Sequence, residues 1–275
     1  MRTIAHISDL HFGTVIPAVA EGLVADLNEL APSLVIISGD LTQRARTGQF
    51  VAAAKYLERL PQPQLVVPGN HDVPLFDVAR RFLSPLTRYR RHIEDDLNPI
   101  YQDDELFVLG LNTARSLTWQ SGRISDEQVD FLRTRLEEAG TRTKIVVTHH
   151  PFIPPPDGDG IELVGRASRA IPAMAKRDVD LLLSGHLHQG YAGDIRAHYP
   201  LTARSIIAVQ AGTATSGRTR NEPNAYNLIA IEPQRITITV RAWSGKQFMP
   251  LHVTAYVRSP AGWSAETLSP GAIQK

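Results

Sequence analysis

Leu34-Val35-Ile36-Ile37-Ser38-Gly39-Asp40 is a run of four apolar residues, three of them β-branched, closed by a small residue, a glycine and a carboxylate. With no polar alternation, such a run is a strand covered on both faces, as in a sheet flanked by helices. The same form recurs at Thr3–Ser8, Leu65–Val67, Leu106–Leu111, Lys144–Thr148 and Asp180–Ser184, which predicts strands there. Between them, Ala18–Leu30, Gly48–Leu60 and Asp126–Ala139 space their apolar residues as helices do. The last opens on Ser125 with Gln128 three residues on, a capping box. Strands alternating with helices predict an α/β fold built on crossover connections.

Past Gly190 the pattern changes to shorter β-like runs, Tyr191–Ala197, Ser205–Gln210, Tyr226–Ile231, Arg235–Trp243 and Phe248–Val257, which predict a second, mainly antiparallel sheet. No linker separates the halves, so residues 1–258 are expected to form a single domain and 259–275 a loosely held C-terminal tail. The 275 residues, 43% of them hydrophobic, suffice for a sizeable core. Cysteine is absent, which excludes disulfides, thiolate metal sites and a cysteine nucleophile. The N-terminal apolar run breaks at Asp9, too early for a signal peptide, and no later stretch approaches the ~18 apolar residues of a membrane span. A cytoplasmic protein is expected. The formal net charge is +1, and only Arg80-Arg81, Arg88 and Arg90-Arg91 make a locally basic region, which disfavours a nucleic-acid partner.

The chemistry lies at the strand ends. Asp9-Leu10-His11, Gly39-Asp40, Gly69-Asn70-His71-Asp72, His149-His150 and Gly185-His186-Leu187-His188 each end an apolar run. In α/β sheets those ends face the crevice where ligands collect. Asp9 and His11, two apart, can chelate one ion; the Asp40 carboxylate has two oxygens with which to bridge two ions; Asn70 offers an amide oxygen; His186 and His188 can divide between the ions. Carboxylate, amide and imidazole hold Mn, Fe or Zn when no thiolate is offered. Alone, Gly-Asp or Gly-Asn-His-Asp is an ordinary turn. The conjunction decides, because six of ten histidines fall in these motifs. His6, His92, His198 and His252 are left as packing or surface residues.

In this order the motifs resemble the calcineurin-like metallophosphoesterase superfamily, over Ile4 to His188. Ile7-Ser8-Asp9-Leu10-His11 and Gly39-Asp40-Leu41-Thr42 look like its bacterial cyclic-nucleotide and glycerophosphodiester phosphodiesterases. The resemblance implies a four-layer α/β/β/α sandwich with mixed sheets. It places Asp9, His11, Asp40 and His188 on one ion and Asp40, Asn70, His149 and His186 on the other, with Asp40 bridging. His149 is chosen over His150 because it matches the family's His-x-Pro, with Pro151 as the proline. His71 then matches the catalytic histidine that protonates the leaving group, and Asp72 its orienting partner. No tyrosine stands near Asp40 as in purple acid phosphatases.

The implied activity is metal-dependent hydrolysis of a small phosphoester, a cyclic nucleotide or glycerophosphodiester, by a hydroxide bridging two divalent or mixed-valence ions (Mn, Fe or Zn). A phosphomonoesterase or a nuclease would use the same centre, and a non-catalytic scaffold would be expected to have lost ligands. Substrate contacts are expected from His150 and from the loops carrying Asn112, Arg115, Trp119, Arg218 and Arg220. Arginine can hold a phosphate oxygen and tryptophan can cover a base or sugar. The native metal pair, mono- against diester preference and homo-oligomerisation stay open.

Overall fold

In β1 (Arg2–Ile7) and β2 (Leu34–Ile37) successive side chains enter different cores. Ala5, Ile7, Val35 and Ile37 meet helices, whereas Ile4, Leu34 and Ile36 meet a second sheet. This division follows from the two-residue period of a strand and explains why these runs contain no polar alternation. The computed structural model describes residues 1–266 apart from 119, 156, 157, 159, 203 and 261.

Helix α1 (Pro17–Leu30) joins β1 to β2, and α2 (Thr47–Leu57) joins β2 to β3 (Gln64–Val66); the three strands are parallel. Two short helices follow, α3 (Val78–Leu83) and α4 (Thr87–His92). The second sheet contains β4 (Ile100–Gln102), β5 (Leu106–Gly110), β6 (Thr143–Val147), β7 (Leu181–Ser184), β8 (Tyr191–Asp194) and β9 (Ile207–Gln210), in the order β4-β5-β6-β7-β9-β8. Its four inner strands are parallel and its two edges antiparallel. Helices α5 (Asp126–Glu138) and α6 (Ala167–Lys176) cover its outer face through Val129, Leu132, Leu136, Ile171 and Met174. The α5 capping box forms as expected: Gln128 N donates to Ser125 Oγ and Ser125 N to Gln128 Oε1, both at 3.1 Å. The layers are helices, sheet, sheet, helices, the expected α/β/β/α sandwich.

The chain past Gly190 does not build a sheet of its own. β8 and β9 complete the second sheet, while β10 (Ala225–Glu232), β11 (Arg235–Trp243), β12 (Phe248–Ser259) and β13 (Gly262–Glu266) extend the first sheet antiparallel from β1. Alternation along a strand shows that it is half-buried, but not which distant strand it joins. Within the expected tail, residues 262–266 form β13 and bury Trp263, whose indole donates to Asp180 Oδ1 at 3.0 Å. Residues 267–275 lie outside the described ones. Helices α3 and α4 are too short and arginine-rich for an apolar period, and Pro172 interrupts the helical pattern of α6. No helix among the described residues is long and apolar enough to cross a membrane.

Candidate metal centre

Because β1, β2, β3, β6 and β7 run parallel within their sheets, Asp9, Asp40, Asn70, His149 and His186 leave their strands at one rim of the sandwich. The backbone there is strained. Asp9, His11, Asp40, His186 and His188 have φ of 57°, 49°, 52°, 76° and 59°, half of the ten non-glycine residues with positive φ among those described. Left-handed conformations outside glycine cost on the order of 1–3 kcal/mol each and gather where geometry serves function. Gly39 (φ 94°) lets the turns close: a Cβ there would stand 2.7 Å from His149 Nδ1 and 2.9 Å from Gly69 N.

Two clusters result. In one, Asp9 Oδ1 lies 3.4 Å from His11 Nε2 and 3.8 Å from His188 Nε2. In the other, Asn70 Oδ1 lies 3.0 Å from His149 Nε2 and 3.1 Å from His186 Nδ1. Asp40 stands between them, Oδ2 at 3.7 Å from His11 Nε2 and Oδ1 at 3.4 Å from His149 Nε2. The potential ligand atoms within Asp9–His11–His188 and within Asp9–Asp40–His149 lie within 4.8 Å of one another.

Hydrogen bonds at the far ring nitrogens set the tautomers. His149 Nδ1 donates to Ser38 O at 2.7 Å, which turns Nε2 toward the oxygens of Asn70 and Asp40, where it carries a proton or a metal ion. Thr213 Oγ1 gives its proton to Arg218 O (3.0 Å), so it accepts from His188 Nδ1 (2.6 Å) and leaves that Nε2 a lone pair facing Asp9. A ring nitrogen facing oxygens has a cation between them, a proton or a metal ion, and this outer hydrogen bonding is characteristic of metal-binding histidines. Asp9 Oδ1, Asp40 Oδ2 and both nitrogens of His11 are buried with no hydrogen-bond partner among the described residues. These residues fit two ions held on nitrogen and oxygen.

The electrostatics agree. Burial alone would push both carboxyls up; His188, His11 and His149 around Asp9, and His149 and His71 around Asp40, outweigh it and hold both well below the usual carboxylate range. His149 is pulled down by burial but raised overall to about 9, chiefly by Asp40. His186 is lowered to about 3 by burial and by His149, which keeps its ring neutral, the form in which an imidazole binds a metal.

His71 borders the first cluster, with a ring nitrogen within 4.8 Å of ligand atoms of His11 and Asp40, and stands on the wall of a pocket of about 320 Å³ lined by Gln43, Arg44, Asn70, Leu75, Gln120 and Arg218, among others. Its Nδ1 donates to Gln43 O at 2.9 Å and its Nε2 accepts from Arg218 Nη1 at 2.9 Å. Asp72, expected as its orienting partner, turns away and accepts from the backbone N–H groups of Leu41, Thr42 and Gly69 at 3.2, 2.9 and 3.0 Å. It ties two ligand-bearing turns together, and the Gln43 carbonyl orients His71 in its place.

The expected substrate contacts divide. Arg218 reaches the pocket. Asn112 caps its own turn, accepting from Ala114 N at 2.9 Å, and Arg115 binds Arg123 O at 3.2 Å and Gln128 Oε1, so both shape the loop instead. Arg220 is exposed, and Trp119 lies outside the described residues. His150 is buried rather than open to the pocket, its Nδ1 at 2.7 Å from Thr113 Oγ1 and its ring centroid 4.7 Å from that of His186. Gln43, Thr213, Ser38 and Thr113 were not expected. Gln43 follows the Asp40 motif closely enough to have been found, whereas nothing in the sequence marks the other three.

Residues 2–190 match the family model of the calcineurin-like phosphoesterases. A Synechococcus protein named a probable cyclic nucleotide phosphodiesterase is 27% identical over 201 residues, 69% of this chain and 74% of that protein. The glycerophosphodiester phosphodiesterase GpdQ of Enterobacter lignolyticus is 29% identical over 201 residues, 67% of this chain and 70% of that protein. Among solved structures, a dimetal phosphatase from Danio rerio aligns with a TM-score of 0.66 at 13% identity over 94% of this chain and 99% of its own, which shows a shared fold.

Proposed function

Since the chain belongs to the calcineurin-like phosphoesterase family and is thereby a metal-dependent phosphoester hydrolase, we propose that it cleaves a small phosphodiester, a cyclic nucleotide or a glycerophosphodiester. The observation that carries this reading is Asp40, one carboxylate standing between two ligand clusters beside the His71 pocket. The names of the Synechococcus and Enterobacter relatives support a diester of this size.

Asp9, His11, Asp40 and His188 would hold one ion, and Asp40, Asn70, His149 and His186 the other. When bound, such a pair supplies a water-derived nucleophile at neutral pH and neutralises charge on the phosphoryl oxygens. Ser38 and Thr213 keep His149 and His188 in the ligating tautomer. Arg218, at the pocket wall, holds a non-reacting phosphoryl oxygen. Drawing its donor onto the substrate frees the His71 Nε2 lone pair to take up a proton from solvent, and the resulting imidazolium, its Nδ1–H still on Gln43 O, passes that proton to the departing alkoxide. Residues 1–258, with β13 closing their first sheet, act as one catalytic unit, and a cytoplasmic protein carrying Mn, Fe or Zn is the setting proposed.

A panel of bis-p-nitrophenyl phosphate, p-nitrophenyl phosphate, cyclic AMP, glycerophosphocholine and single-stranded DNA, each with Mn, Fe, Zn and Mg, tests this. Turnover of cyclic AMP or glycerophosphocholine above the monoester and DNA is expected. Preference for the monoester or for DNA would overturn the substrate class.

A further inference from the structure

The pocket in front of His71 holds one more cation than the scissile phosphoryl group needs. Among the described residues that line it are two arginines, Arg44 and Arg218, and no carboxylate. Arg218 bonds His71 Nε2 and serves the phosphoryl oxygen in the reading above. Arg44 has no part in that reading. Its backbone N–H donates to Gln49 Oε1 at 2.9 Å, which fixes the loop that carries it. Its Nη1 donates at 3.4 Å to Gln43 O, the same carbonyl that takes His71 Nδ1 at 2.9 Å, so the guanidinium is seated beside the imidazole.

The acidic groups around this pocket are engaged elsewhere. Asp9 and Asp40 face the proposed ions, Asp72 turns to the backbone N–H groups of Leu41, Thr42 and Gly69, and Asp77 is paired with Arg80 at 2.9 Å. Arg44 makes no ion pair among the described residues. A ligand ammonium is recognised by an aromatic face or a carboxylate. Phe76, next in the chain to the lining Leu75, offers a ring, but the Arg44 guanidinium stands 5.6 Å from its centre, within the range of a cation over an aromatic face. A cationic ester group entering here meets a fixed like charge and no partner. An uncharged group meets the Gln120 amide and the apolar sides of Val73 and Leu75.

The departing alkoxide lies in this pocket, because His71 hands it a proton there. We infer that Arg44 selects which ester bond breaks, by refusing the place beside His71 to a positively charged group. The inference rests on the phosphodiesterase reading and sharpens it. In glycerophosphocholine, glycerol sits against His71 and choline stays outside. A water-derived hydroxide bonds to phosphorus, the bond from phosphorus to the glycerol oxygen breaks, the proton on His71 passes to that oxygen, and the products are glycerol and phosphocholine. A cyclic nucleotide, with no cationic ester group, meets no such barrier.

The products that the Mn-loaded protein forms from glycerophosphocholine, read by mass spectrometry, test this. Phosphocholine should exceed glycerol 3-phosphate and choline by on the order of tenfold, as expected of two like charges several ångströms apart in a partly screened pocket. Arg44→Gln should bring the ratio toward one and Arg44→Glu should favour choline release, whereas Arg44→Lys, which keeps the charge, should keep glycerol as the departing group. Circular dichroism confirms that each variant is folded. Choline as the main wild-type product overturns the inference. So does a folded Arg44→Gln or Arg44→Glu that matches the wild type in product ratio, or in failing to cleave this diester. Wild-type turnover of bis-p-nitrophenyl phosphate separates the two readings: its absence removes the phosphodiesterase reading, while its presence with choline release refutes only the role of Arg44.

Discussion

Asp40→Asn separates the charge of the bridging side chain from its shape. The amide has the same volume, and its oxygen can keep the hydrogen bond that His71 N donates to Asp40 Oδ1 at 2.8 Å. What it loses is the charge and one of the two oxygens, which stand 3.7 Å from His11 Nε2 and 3.4 Å from His149 Nε2. In the metal-free protein this should lower Tm at neutral pH, because a carboxylate that His149 and His71 hold well below its usual range stabilises the fold above that range, and its loss leaves the buried His149 imidazole without its main partner. In the metal-loaded protein it should cost both sites. An ion at a hundredfold excess over its Kd contributes about 2.7 kcal/mol. Over 275 residues, about 2.1 cal/mol/K per residue gives an unfolding entropy near 0.6 kcal/mol/K, so each ion raises Tm by roughly 5 °C. Calorimetry with and without Mn, elemental analysis and turnover of bis-p-nitrophenyl phosphate together read the outcome. The expected variant melts below the metal-free wild type at neutral pH, loses most of the metal-dependent increment, retains fewer than two ions, and turns over orders of magnitude more slowly. Two retained ions with near-normal turnover would refute the bridging role, and a full metal-dependent increment on a lowered metal-free Tm would show that Asp40 is structural instead.

His149→Ala should deplete one metal, whereas His150→Ala should retain both and alter turnover; the reverse metal contents, read by elemental analysis, would exchange their roles. His71→Asn should keep full metal content yet slow alkyl diesters by about 10²–10⁴-fold, the usual worth of a general acid. Bis-p-nitrophenyl phosphate should suffer far less, since p-nitrophenolate departs without a proton, and equal losses on both substrates would remove His71 from that role. Thr213→Val takes away the acceptor that fixes the His188 tautomer and should weaken metal binding by about 10–100-fold; an unchanged affinity in a competition titration with a chelator would mean that His188 is not a ligand through Nε2.

The sequence made the strands legible because both of their faces are dry. Val35 and Ile36 point to opposite cores, so neither position tolerates a polar residue, and the run stands out without any periodicity. The ligands were legible for a related reason: Asp9, His11, His186 and His188 directly follow such runs, at positions whose left-handed backbone only a few polar residues adopt readily. The sheet partner of β10 was not legible. Ile229 faces Ile4 across a separation of 225 residues, and nothing in either strand names the other. The small-residue turn that holds Thr213 was equally silent.

Asp72 shows where motif reasoning stops. Adjacency in Asn70-His71-Asp72 suggested a carboxylate–imidazole pair, but the single turn of 3₁₀ helix over these residues carries neighbouring side chains to different sides. The Asp72 carboxylate therefore falls among the N–H groups of Gly69, Leu41 and Thr42, while the His71 ring meets the Gln43 carbonyl. Burial and the nearby Asp40 raise the Asp72 carboxyl to about 6, although each of those N–H groups favours its charged form. On the proposed function the same short turn thus contributes a ligand from Asn70 and a proton carrier from His71, beside the brace from Asp72. Those three roles follow from the direction each side chain takes, which the backbone sets and the motif alone does not reveal.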